Sequence, residues 1–348
     1  MKYHYSRKEG WLGNPCGLVY FKGKYHIFFQ LNPYLPRYGL MHWGHATSED
    51  LITWNECPVA ISPEDEMSCN SGSAFVNDGR LWLFYNATSS DGSEMVRIAY
   101  SEDGLSFSKC EDTVITAPFE DGFKFREPYV FKYRNSFRML IGAGHEGIAK
   151  VLQYESDDLV NWTFKGELLS DGRYGSVIEV PQIIEADGKW IFIIQSEKHL
   201  PVKVLFAVGT YDGEGFVFDD ENETFKPVDI GNDLLYPVTF EDEQGRRVLM
   251  AWMFSMNMNS SAISAPREVG ISRNGEVCLM PYGELKDRTV KESVFVSYDC
   301  GRLRVQFEGR TLFDKAYREC PEIRVLEDVG TVEVFVDGGK EMISMFVC

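Results

Sequence analysis

Residues 17–31, GLVYFKGKYHIFFQL, decide the reading of the fold. Two arms rich in aromatic and β-branched residues flank the tight turn Lys22-Gly23-Lys24, which is the composition of a β-hairpin. The pattern returns as GSAFVNDGRLWLFYNA from Gly72 and EPYVFKYRNSFRMLIGAG from Glu127. It returns again as EVPQIIEADGKWIFIIQS from Glu179 and YPVTFEDEQGRRVLMAWM from Tyr236. Successive starts are separated by 55, 55, 52 and 57 residues. A second element, SEDLITW at 48–54, SEDGLSF at 101–107 and SDDLVNW at 156–162, follows strand-like HWGHATS, VRIAYS and VLQYES. Each unit therefore holds about four short strands, and no long stretch combines helical periodicity with caps.

Four-stranded units repeated at one spacing predict an all-β protein built on a five-bladed β-propeller. The repeats run from about residue 10, in an expected domain 1–283. A β-sandwich with accidental hairpin similarity is the alternative. Beyond about Leu285 the segments VKESVFVSYD, LRVQFEG, EIRVLEDVGTVEVFVDGG and EMISMFVC alternate at period two without the blade signature. They predict a small C-terminal β-sheet domain, sandwich-like, over 284–348, packed on the propeller without a disordered linker.

Composition narrows the partners. The chain has 348 residues and a formal charge of −18, which would repel nucleic acids and anionic membranes. Its 24 Phe, 17 Tyr and 7 Trp offer flat faces for sugar rings. The opening MKYHYSRKEGW has no apolar export core, and a cytoplasmic location is expected. Cysteines 16, 57, 69, 110, 278, 300, 320 and 348 are scattered singly, which is neither a disulfide framework nor a zinc site. His4, His26, His42, His45, His145 and His199 show no ligand spacing, so neither metal nor cofactor is expected. Oligomeric state is not legible.

In a propeller the innermost strands converge on one channel. Asn14 in GNPCG, Glu127 in REP and Glu179 in EVP stand at the starts of repeated hairpins. Two glutamates brought together at matched blade positions shift each other's pKa, and glycoside hydrolysis needs such a pair. The bland alternative is that they cap strand ends or pair with Lys124 and Arg126.

The motifs resemble those of glycoside hydrolase family 32, the invertases, sucrose-6-phosphate hydrolases and fructan hydrolases. W-M-N-D-P-N-G is matched by WLGNPCG at 11–17, and the element after it by YHIFFQLNP at 25–33. HWGHA at 42–46, SGSAF at 71–75, REP at 126–128 and EVP at 179–181 follow in the family's order. The last-blade and C-terminal segments are similar too, although the terminal module is short for the family. The resemblance implies action on β-fructofuranosides by a retaining mechanism. It places Glu179 at the acid/base position, Glu127 at the transition-state stabiliser position, and Asn14 where the nucleophilic aspartate stands. Gln30, Trp43, Asn70, Ser71, Arg126 and Trp252 fall at substrate-binding positions.

The departures cluster in those motifs. An amide at position 14 is a poor nucleophile. Gly13 and Cys16 replace polar residues, Asn70 an aromatic, and Leu235 a common tyrosine. Three accounts stay open. The protein hydrolyses a furanoside using Glu127 or, through its thiolate, Cys16, which by strand period shares a face with Asn14. It binds a sugar without cleaving it. Or it is a structural or regulatory subunit.

Overall fold

The computed structural model describes residues 1–119, 123–198, 202–255 and 260–347. His199 and Cys348 lie outside the described residues. Five antiparallel sheets follow one another, in residues 11–61, 68–115, 124–170, 178–227 and 234–281. Their first strands are Trp11–Phe21, Ser68–Asn77, Lys124–Tyr133, Ile178–Ala186 and Leu234–Glu241. These pack side by side around one axis, the last against the first, and the other strands of each sheet run outward. The architecture is the five-bladed propeller expected from the repeat.

Local chemistry explains why these residues form these elements. In Lys22-Gly23, Asp78-Gly79 and Asp187-Gly188 both residues have positive φ, the turn geometry that matches the twist of a two-stranded hairpin. The recurring Ser-Glu/Asp-Asp element is an Asx turn. Asp50 Oδ1 accepts the N–H groups of Ile52 and Thr53, as Asp103 does from Leu105 and Ser106, and Asp158 from Val160 and Asn161. Each carboxylate thereby steers the chain from the third strand of its blade into the fourth.

Blade five is completed from the other end of the chain. Its third layer is split: Ser260–Ile263 pairs with one half of Arg247–Ser255, and Arg267–Ile271 with the other. Tyr5 pairs with Ile263 through both backbone hydrogen bonds, at 3.1 and 2.8 Å. The N-terminal residues thus lie on the last blade.

After the fifth blade two three-stranded sheets follow, Val296–Asp299 with Arg302–Phe307 and Arg310–Ala316, then Ile323–Asp328 with Thr331–Val336 and Glu341–Phe346. They share a core of Leu303, Val305, Val325, Val334 and Ile343. Leu326, Phe335, Met342 and Phe346 of the second sheet instead join Leu249, Met253 and Leu279 of blade five. Apolar burial therefore fuses the small module to the propeller.

A buried polar knot crosses this seam. Asp328 accepts the backbone N–H groups of Lys2, Tyr3 and His4. His4 Nδ1 meets Asp328 at 3.0 Å and Nε2 meets Glu333 at 3.1 Å, while Arg267 Nη2 donates to Glu333 at 2.7 Å. Burial opposes charge on His4, yet its bonds to the two carboxylates outweigh this and raise its pKa above the ordinary 6.5. A raised folded-state pKa gives stability that is complete below 6.5 and is lost as pH climbs through the folded value. Removing one member of a buried ionic cluster leaves the others uncompensated. His4→Gln is therefore expected to lower unfolding free energy by about 3 kcal/mol at acidic-to-neutral pH, and by less at alkaline pH. Urea unfolding at pH 6 and pH 9 checks both the size and the direction.

Candidate active site

All five innermost strands break register with their neighbours at the same height. After Leu12, Cys69, Arg126, Glu179 and Leu235, three residues are passed for two on the second strand, which is a β-bulge. This corrects the expectation that Glu127 and Glu179 occupy matched blade positions. Glu179 is the last paired residue before its bulge, Glu127 is the first residue within one, and Asn14 is the second within another. One repeated irregularity supplies three different vantage points.

The bulges are strained where the chemistry lies. Glu127, Val180 and Tyr236 have φ of +59°, +45° and +47°, and each precedes a proline. Left-handed backbone at non-glycine residues costs about 1–3 kcal/mol each, and a β-branched valine is the least suited of all. The strain serves contacts: the Val180 N–H donates to Glu127 Oε2 at 2.6 Å. Beneath the bulges Gly72, Pro128, Pro181 and Pro237 line an axial cavity of about 20 Å³, room for about one water, so the axis is nearly closed at this level.

One guanidinium organises the carboxylates. Arg126 Nη2 donates to Glu94 Oε1 at 2.6 Å, and Nη1 lies 3.5 Å from Glu179 Oε1. Glu94 Oε2 accepts the Phe125 N–H at 2.8 Å. Glu179 Oε2 accepts from Gln195 Nε2 and from the Tyr236 hydroxyl, both at 2.9 Å. Glu127 is buried, and burial followed by the charge of Glu179 pushes its pKa up to about 8, against the pull of Arg126. At neutral pH it is held as the acid. Burial, then Glu179 and Glu127, push the Tyr236 hydroxyl well above its ordinary value, so it stays a donor.

A second group gathers around Ser71. Asn14 Nδ2 donates to Ser71 Oγ at 3.0 Å and Gln30 Nε2 does so at 2.8 Å. Trp43 is fully buried and donates its indole N–H to the Asn70 carbonyl at 2.7 Å. It therefore presents no open ring face and acts by fixing the bulge of blade two. The Asn70 amide is engaged by Asn86 and Thr88. Trp252 donates to Ser261 Oγ at 2.8 Å, and its ring lies 6.1 Å from that of Tyr236.

Two further expectations are corrected. Cys16 does not share an open face with Asn14, because a second register shift between Pro15 and Gly17 breaks the strand period. Its side chain is fully buried in the core between blades one and two, and burial pushes the thiol well above its ordinary pKa. It is no thiolate nucleophile. Leu235 is not the end of the tyrosine position: Tyr236, one residue on, delivers the hydroxyl to Glu179. The repeated X-Pro pair of EP, VP and YP was the signal for it. Glu94 and Gln195 carried none, since each is brought in from a different strand. A cleft of about 1040 Å³ lies between blade four and the terminal sheets, away from all of these groups.

With this geometry in view, comparison with known proteins is direct. Residues 4–281 match the description "Glycosyl hydrolases family 32 N-terminal domain". The chain is 34% identical to the sucrose-6-phosphate hydrolase of Bacillus subtilis over 72% of its own length and 56% of the relative's. It is 30% identical to invertase 1 of Saccharomyces cerevisiae, over 76% and 54% respectively. The structure superimposes on the β-fructofuranosidase of Bombyx mori with a TM-score of 0.87 and 25% identity, covering 99% of this chain and 88% of that one. The chain spans little more than half the length of the Bacillus and yeast relatives. It is a member of glycoside hydrolase family 32.

Two measurements test the electrostatics. A folded-state pKa near 8 against an ordinary 4.5 means that Glu127 costs stability progressively as pH rises between these values. Glu127→Gln should leave melting unchanged near pH 4 and raise it by about 2 °C or more at pH 8.5, read by calorimetry. Glu94→Gln removes a negative charge and turns Arg126 fully on the pair. Carboxyl carbon NMR should then show the Glu127 titration moved to lower pH.

Proposed function

We propose that this protein is a glycoside hydrolase acting on β-fructofuranosides such as sucrose, sucrose-6-phosphate or fructo-oligosaccharides. In this reading Glu179 protonates the leaving oxygen, while Glu127 and Arg126 hold sugar hydroxyls and steady the transition state. Gln30 and Ser71 complete the fructose end. The observation that carries the reading is the pair of carboxyls sharing Arg126 at the head of one funnel, on a family-32 frame. Relatives named sucrose-6-phosphate hydrolase, levanase and invertase support the substrate class. Seven free cysteines, with no disulfide among the described residues, support a reducing, cytoplasmic setting. Among the described residues no helix is long and apolar enough to cross a membrane.

Catalysis is altered by Asn14. A retaining double displacement needs a carboxylate to attack the anomeric carbon and to leave again when water attacks, and an amide does neither step well. That substitution favours a second reading, a carbohydrate-binding protein that keeps the pocket without turnover. Asn14→Asp separates the two. Because Glu179 and its donors are in place, restoring the carboxylate should raise fructose release from sucrose at least tenfold, with the position-14 side chain still close to Ser71. Sugar binding without any gain would favour the binding protein. Neither binding nor gain would discard both.

A further inference from the structure

Gln195 does more in the funnel than donate to one carboxylate. It stands in Lys189–Ser196, directly across the ladder from Glu179, so the two side chains are cross-strand neighbours on one face. Its amide is buried and is used at both ends. Gln195 Nε2 donates to Glu179 Oε2 at 2.9 Å, and Gln195 Oε1 accepts the Tyr236 N–H at 2.8 Å. Tyr236 then returns to the same carboxylate, its hydroxyl donating to Glu179 Oε2 at 2.9 Å. The three residues close a ring of hydrogen bonds across blades four and five.

The ring fixes its own polarity. Tyr236 lies within the bulge between Leu235 and Val238, where its N–H has no ladder partner, and a buried N–H left unpaired is costly. The oxygen of the Gln195 amide can accept that N–H, whereas the amide nitrogen is a donor and cannot. The amide is therefore held one way round, with its NH2 turned to Glu179. Two donors on Glu179 Oε2 use both lone pairs of that oxygen. Glu179 Oε1 instead has Arg126 Nη1 at 3.5 Å, beyond the length of a good hydrogen bond.

We infer that Gln195 is a positioning residue: it saturates Oε2 of Glu179 and so assigns the transferable proton to Oε1. The inference rests on the fructofuranoside reading, because it takes Glu179 as the donor to the departing oxygen. In that step the Oε1–H bond breaks. The departing oxygen takes the proton and keeps the electron pair of its bond to the anomeric carbon, and the charge left on Glu179 is met by the donors already on Oε2. A carboxylic acid free to rotate, or to carry its proton on either oxygen, is misaligned for part of the time and loses acid catalysis accordingly. Gln195 prevents this without touching the sugar.

The test uses leaving groups that need a proton to different degrees. In the Asn14→Asp background, kcat/KM is measured for sucrose, whose departing sugar oxygen must be protonated, and for an aryl β-fructofuranoside that releases nitrophenolate as an anion. Gln195→Met, close in size but without a donor, should lower the sucrose value about tenfold to a hundredfold and the aryl value by no more than about twofold. Gln195→Glu keeps an acceptor for the Tyr236 N–H, and it decides the matter should Gln195→Met fail to fold. Its carboxyl offers Glu179 no donor when ionised and one when protonated, so its selective loss on sucrose should be present at alkaline pH and shrink as pH falls. Equal losses on both substrates would make Gln195 merely structural, and an undiminished sucrose value would make it idle. Either result overturns the proposal while the fructoside reading stands. An Asn14→Asp form that cleaves neither substrate would remove the fructoside reading and this role with it.

Discussion

Arg126 is the charge on which the funnel depends. Burying carboxylates beside one another is unfavourable unless something disperses their repulsion, and here a single guanidinium stands between Glu94 and Glu179 with Glu127 adjacent. The arrangement leaves Glu127 holding a proton at neutral pH while Glu179 accepts from an amide and a phenol. Glu127 owes its raised pKa first to burial and then to the neighbouring charge of Glu179.

That cluster is held by backbone the chain does not adopt cheaply. Left-handed residues before proline at 127, 180 and 236 recur on three successive blades, each in the bulge of the innermost strand. The strain is sustained because each bulge is flanked by well-paired strand and by cores that span neighbouring blades. The N-terminal residues add to this rigidity. Tyr5 completes blade five and His4 is locked into the seam with the terminal sheets, so closure of the ring and docking of the small module draw on the same few residues.

The substitutions in WLGNPCG read differently once their surroundings are known. Asn14 keeps a place in the polar network through Ser71, Gly13 admits Trp11, and Cys16 fills a dry core position. Each replacement is accommodated by a specific neighbour. The strand thus keeps a polar side chain beside Ser71 and folds the Trp11 indole over Gly13.

Fold class was legible from local physics alone. Hairpins such as 17–31 announce themselves by turn glycines between arms rich in aromatic and β-branched residues, and five of them at one spacing have few solutions besides a propeller. Glu127 and Glu179 were legible as a pair because the repeat places both on inner strands. The tertiary structure alone decided their offsets, since a bulge shifts one residue against its neighbour by forces no spacing reveals. It alone brought Glu94 and Gln195 to the site, buried the Trp43 ring, and set Tyr236 rather than Leu235 against Glu179. Those are contacts between strands far apart in the chain, where the outcome turns on backbone direction and packing and not on which residues stand next to one another.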